Sequence, residues 1–102
     1  MGLFDFLHLG TYRFEMQIQS TFIIKNHGVV ITGKIDKGDI HVGDVITIKG
    51  RKYDVFMIDA VEEAGSKKPY QVSAAAEGME VALHLSTMSV SGIKAGLFAI
   101  AR

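Results

Sequence analysis

Gly28-Val29-Val30-Ile31-Thr32-Gly33-Lys34-Ile35-Asp36-Lys37-Gly38-Asp39-Ile40-His41-Val42-Gly43-Asp44 is the stretch on which the fold turns. Glycine returns every five residues, at 28, 33, 38 and 43, and the gaps hold β-branched residues: Val29-Val30-Ile31-Thr32, then Ile35, then Ile40 and Val42. Branched side chains are stiff at χ1 and favour extended backbone, whereas glycine supplies the positive φ of turns and bulges. Short strands punctuated by turns are therefore expected. Asn26-His27-Gly28 and Asp36-Lys37-Gly38-Asp39 have turn composition, and Val42-Gly43-Asp44 reads as a bulge or bend leading into a strand at Val45-Ile46-Thr47-Ile48.

Upstream, residues 12–25 alternate with a period of two. Tyr12, Phe14, Met16, Ile18, Phe22 and Ile24 fall on one face, and Arg13, Glu15, Gln17, Gln19, Thr21 and Lys25 on the other, with Ser20 and Ile23 as exceptions. This predicts half-buried strand, either one long bent strand or two in succession. A helix would gather Phe14, Ile18 and Phe22 but scatter Tyr12, Met16 and Ile24. Downstream, Lys49-Gly50-Arg51-Lys52 turns the chain into a strand over residues 53–59. Residues 62–69 (EEAGSKKP) hold the only proline and read as a loop; strands near 79–85 and 97–101 follow. Only residues 1–10 and the run Ala74-Ala75-Ala76 have a composition compatible with helix. Six to eight short strands at a spacing of 8–12 residues define an all-β class, barrel or sandwich.

The 102 residues divide into an apolar N-terminal extension, residues 1–10, and one β domain, residues 11–102; a second core would not fit. Nearly half of the chain is apolar (48 %), which suffices for a core. The absence of cysteine excludes disulfides, thiolate catalysis and Cys-ligated metal. Eleven basic and eleven acidic residues give zero formal charge, which counts against broad attraction to nucleic acid or anionic lipid. No apolar run approaches the roughly 18–20 residues that span a bilayer. The extension, with Leu3, Phe4, Phe6 and Leu7, lacks a basic n-region and a cleavage site, and Phe6 stands where myristoylation needs Ser or Thr. It reads as an interaction segment, and the protein as cytoplasmic.

Residues 28–34 literally fit G-x-x-x-x-G-K, but Ile35 replaces the hydroxyl residue that would bind magnesium, and no βαβ unit surrounds the motif. No nucleotide site is expected. His8, His27, His41 and His84 show no metal-ligand spacing, so no metal or other cofactor is assigned. There is no G-x-S-x-G, and the pairs Glu62-Glu63 and Asp36/Asp39 read as solvated turns rather than acid–base machinery. No enzyme activity is expected. Lys49, Arg51, Lys52 and Lys67-Lys68 form a modest basic cluster whose stacking partners would be limited to Tyr53 and Tyr70.

Phe14-x-Met16-x-Ile18, Phe22, Gly28-Val29-Val30-x-Thr32-Gly33-Lys34-Ile35, Gly38 and Ile40-x-Val42-Gly43-Asp44 form an ordered series. It continues through residues 53–59, Ala76-Glu77-Gly78-Met79-Glu80-Val81-Ala82-Leu83-x-Leu85 and Ile93-Lys94-Ala95-Gly96-Leu97. The series resembles the second domain of elongation factor Tu and related translational GTPases, over roughly residues 13–101. The resemblance implies a six-stranded Greek-key β-barrel, here a free-standing domain without the GTPase that precedes it in those factors. It also implies a pocket, used in the elongation factor for the aminoacylated 3′ end of transfer RNA, at Gln19, Ile24, Asn26, His27, Gly28, Val30, Thr32 and Asp59, with Glu62 at its edge. The pattern departs from that family in several places. Gln19-Ser20 replaces acidic residues, Asn26-His27-Gly28 replaces a Gly-Arg-Gly turn, Glu62 stands near an expected Arg, and Asp59 replaces a glutamate. With both arginines gone, the first expectation is a non-enzymatic interaction module that binds a protein partner or itself. The alternative is RNA binding through the pocket around His27 and Asp59.

Overall fold

A computed structural model of the chain describes residues 12–26, 28–61 and 69–101. Among these residues there is no helix. The strands are β1 (Phe14–Gln17), β2 (Ser20–Ile24), β3 (Gly28–His41), β4 (Val45–Ile48), β5 (Arg51–Val61), β6 (Tyr70–Val72), β7 (Ala74–Ala76), β8 (Glu80–Leu85) and β9 (Phe98–Ala101). Hydrogen bonding runs β1–β9–β4–β5–β8–β3 and returns from β3 to β1, so six antiparallel strands close into a barrel. Closure removes the free edges that an open sheet would expose. Three strands lie outside the ring: β2 and β7 on β3, and β6 on β5.

The interior is filled by alternate side chains of the ring strands. Phe14, Met16, Ile31, Ile35, Ile46, Ile48, Val55, Ile58, Leu83 and Leu85 are fully buried, joined by Ile18, Val29 and Ile93 from strand ends and loops. Burying each large aliphatic or aromatic side chain stabilises the fold by about 1.5–3 kcal/mol before the cost of ordering it.

Three expectations are corrected. The alternating segment is two strands in succession, one of the two forms expected, but its apolar face does not continue: Phe14, Met16 and Ile18 are buried, whereas Phe22 and Ile24 are 50 % and 39 % exposed. Alternation reports the pleat of a strand, not whether anything covers it, and β2 leaves the ring after Ile18 to pair with β3 alone. The turn expected at residues 36–39 lies inside β3. Phe14 pairs with Gly38 and Glu15 with Lys37, but Met16 pairs with Ile35, so Asp36 is an extra residue, a bulge. Gly38 sits at φ +77°, and a Cβ there would collide with the Arg13 carbonyl. This glycine lets β3 swing from β2 and β8 to β1 and β7 without ending. Lastly, the alanine run is strand β7 rather than helix.

Candidate functional site

The outer face of β2–β3–β8–β5–β6 carries two rows of side chains. The register places Ser20, Thr32, Ala82, Asp59 and Gln71 in one row. Phe22, Val30, His84 and Met57 form the next. Paired residues of neighbouring strands project to the same side, so each row is a continuous stripe. In the first, the hydroxyls of Ser20 and Thr32 are hydrogen-bonded at 2.6 Å. Between the stripes, His84 Nε2 hydrogen-bonds Asp59 Oδ2 at 2.8 Å. The His84 side chain is 7 % exposed and that of Asp59 27 %.

In the tautomer that donates Nε2–H to the carboxylate, Nδ1 is an acceptor. That atom is buried and has no partner among the described residues. Phe56 stands edge-on to the same ring, centroids 6.0 Å apart at 68°. A second bulge puts it there: Val55 pairs with Leu85 and Met57 with His84, leaving Phe56 as the extra residue. An open cleft lined by Val42, Phe56, Gln71, Val72 and Ser73 runs alongside.

No family model matches the chain. Among solved structures it is similar to translation elongation factor SelB from Methanococcus maripaludis in its apo form, with TM-score 0.77, 26 % identity, and coverage of 90 % of this chain and 18 % of that one. It is also similar to a bacterial selenocysteine-specific elongation factor, EF-Sec, with TM-score 0.71, 22 % identity, and coverage of 88 % and 15 %. The chain folds as an elongation factor Tu domain 2-like barrel. It spans less than a fifth of the length of either factor.

In this barrel, the pocket residues implied by the resemblance are only partly gathered. Val30, Thr32 and Asp59 share the outer face: Thr32 and Asp59 stand in one row two strand spacings apart, about 10 Å, and Val30 lies two residues along β3 from Thr32. Ile24 and Gly28 are paired at the far end of β2–β3, and Asn26 occupies the intervening turn at φ +68°. Gln19 lies at the opposite end of β2, where its amide donates to the Thr32 carbonyl at 2.7 Å. His27, Glu62 and the extension with Leu3, Phe4, Phe6 and Leu7 fall outside the described residues. His84 is the centre that sequence reasoning passed over. Its position between the inward Leu83 and Leu85 marks it as outward-facing, but only the register brings it to Asp59.

The remaining motifs settle into structural roles. Residues 28–34 run as extended strand rather than a phosphate loop. Asp36 accepts the Gln17 amide at 3.2 Å. Asp39 bonds the His41 ring at 2.7 Å. Asp44 takes the Arg13 guanidinium at 2.9 Å and the His41 amide at 2.8 Å. Partial burial raises the Asp44 pKa, but the Arg13 hydrogen bond, the His41 amide and the Arg13 and His41 charges together outweigh it and leave it lowered. The cluster clasps the start of β1 to the turn between β3 and β4. Among the described residues no three His, Asp or Glu side chains are arranged to hold a metal ion, and no helix is long and apolar enough to cross a membrane.

Proposed function

We propose that this barrel is a non-enzymatic docking module that associates with another protein through β2. The observation behind the reading is the run Phe22-Ile23-Ile24, which is 50 %, 54 % and 39 % exposed on a strand outside the ring. Clustered apolar surface on a soluble domain commonly marks an interaction site. An unpaired strand edge adds main-chain hydrogen bonding to it. The apolar residues Leu3, Phe4, Phe6 and Leu7, outside the described residues, are the second segment assigned to protein association in this reading. The likeness to translation factors supports partners within the translation machinery and a cytoplasmic place of action. Cross-linking in cell extract, comparing the chain with a Phe22→Ser/Ile24→Ser variant, tests this. A protein captured by the wild type and lost from the variant is expected. Equal capture by both overturns β2 as the docking strand.

One observation favours a second reading, RNA binding on the outer face. The buried, unpartnered Nδ1 of His84 beside Phe56 offers an acceptor and a ring edge next to Thr32 and Asp59, on the face to which the family resemblance assigns a nucleotide end. Affinity for RNA falls with salt in proportion to the phosphates neutralised. A flat titration of aminoacylated and bare transfer RNA at low salt would remove this reading, and zero net charge keeps it second.

A further inference from the structure

The direction of the β2 backbone groups says more about the partner than the side chains do. The Val29 amide donates to the Thr87 carbonyl at 2.9 Å, away from β2. In an antiparallel ladder the bonding direction alternates. Val30 and its partner Phe22 therefore exchange the β2–β3 bonds, as do the pairs Ser20–Thr32 and Ile24–Gly28. Thr21 and Ile23 turn their N–H and C=O groups to the other side, where β2 has no neighbouring strand among the described residues.

We propose that the strand filling this edge is β2 of a second copy of the chain, antiparallel, with the twofold axis passing through Phe22. The proposal rests on reading β2 as the docking strand and names its partner. About that axis Thr21 stands opposite Ile23 of the other copy. All four outward groups of each strand are then satisfied reciprocally, two hydrogen bonds on each side of the axis. Centring the axis on Thr21 or Ile23 instead would pair one of these residues with a residue beyond the strand. Charge selects the same arrangement. The strand carries no charge and is flanked by Gln19 and Lys25. Antiparallel pairing sets Lys25 against Gln19 of the other copy, whereas parallel pairing would set two Lys25 side by side. The zero formal charge leaves no net repulsion between copies. The two Phe22 side chains meet at a non-hydrogen-bonded pair, where Cα atoms approach to about 4.5 Å and side chains are closest.

That last spacing lies within the range a disulfide bridges, and the chain has no cysteine of its own. The test is sedimentation of the full chain over a concentration series to millimolar, amide exchange on the same samples, and mild oxidation of single-cysteine variants. A concentration-dependent dimer is expected, with exchange at Thr21 and Ile23 slowing as it fills. Phe22→Cys should cross-link. Ile24→Cys should not, because about the axis Ile24 faces Ser20. Ile23→Pro deletes an N–H that no strand among the described residues of one copy pairs with, and should weaken dimerisation at least tenfold, with the barrel still folded. A monomer throughout overturns the twofold, as does a dimer that cross-links through Ile24→Cys and not through Phe22→Cys. A monomer whose capture of another protein is lost in Ile23→Pro overturns the dimer but keeps β2 as the docking strand. A monomer whose capture is unchanged overturns both.

Discussion

Strands β2 and β6 both lie outside the closed ring, yet they are finished in opposite ways. β6 has three residues, follows Pro69, and beyond it the Ser73 carbonyl accepts the Val42 amide at 3.0 Å. Its exposed residues, Tyr70 and Gln71, carry polar groups. β2 has five residues with neither proline nor charge, and three successive large apolar side chains in solvent. Proline, brevity and polar side chains are the usual means by which an edge is kept from pairing. β6 has all three, whereas β2 has no proline, is longer, and confines its polar side chains to Ser20 and Thr21 ahead of the exposed apolar run. One barrel thus carries a blunted edge and an open one, which argues that the open one serves a purpose.

The largest expected effect removes the frame that both edges depend on. Gly38→Val would drive a Cβ into the Arg13 carbonyl at a backbone angle side chains resist. A loss of about 3 kcal/mol or more is expected in urea unfolding. Gly78, at φ +91° with open space around it, should cost about 1–2 kcal/mol for the same change. Equal costs would mean that the close approach of Gly38 to the Arg13 carbonyl is not what closes the ring.

Next comes the face between the two edges. Asp59→Ala strands the buried His84 Nε2–H and should cost about 1–3 kcal/mol. The double variant Asp59→Leu/His84→Leu should cost less than that single change, because no polar group is left unpaired. If the double is the worse of the two, the pair does more than satisfy itself.

The direct contrast is smaller in stability but sharper in meaning. Ile23→Lys on β2 and Tyr70→Lys on β6 should each shift unfolding by no more than about 0.5 kcal/mol. Only the β2 change should abolish association in sedimentation. Equal behaviour at the two edges would dissolve the contrast.

The smallest effect lies away from both edges. The lowered Asp44 pKa means that its ionised form stabilises the fold above the ordinary value of 3.8, and that this stability is lost as pH falls through the folded value. Arg13→Ala should flatten this acid limb in an unfolding-versus-pH series while leaving association untouched.

The fold was legible because its information is local. Gly28 to Asp44 announced strand and bend, and Phe14, Met16 and Ile18 announced a buried face. The same reading failed at Phe22 and Ile24 for a physical reason: a pleat has period two whether or not a neighbour covers it. It failed at Gly38 because a positive-φ glycine suits a bulge within a strand as well as a turn between strands. The binding face was less legible still. Val30, Thr32 and Asp59 were named through family resemblance, but His84 meets Asp59 across 25 residues of sequence, and Phe56 faces them only because a bulge adds one residue to β5. Such meetings depend on register, which no single segment encodes.

The ring closes with its first and last strands side by side: Phe14 pairs with Ala101, and the Arg13 amide donates to the Ala101 carbonyl at 2.9 Å. The polypeptide thus comes in and goes out at one spot on the rim. A module built this way can be spliced into a surface loop of a host protein without stretching it. The same adjacency should let the barrel's residues 12 and 101 be joined by a short linker and new ends opened at the Lys49-Gly50 turn, giving a circular permutant in which both the blunt edge and the open edge keep their places.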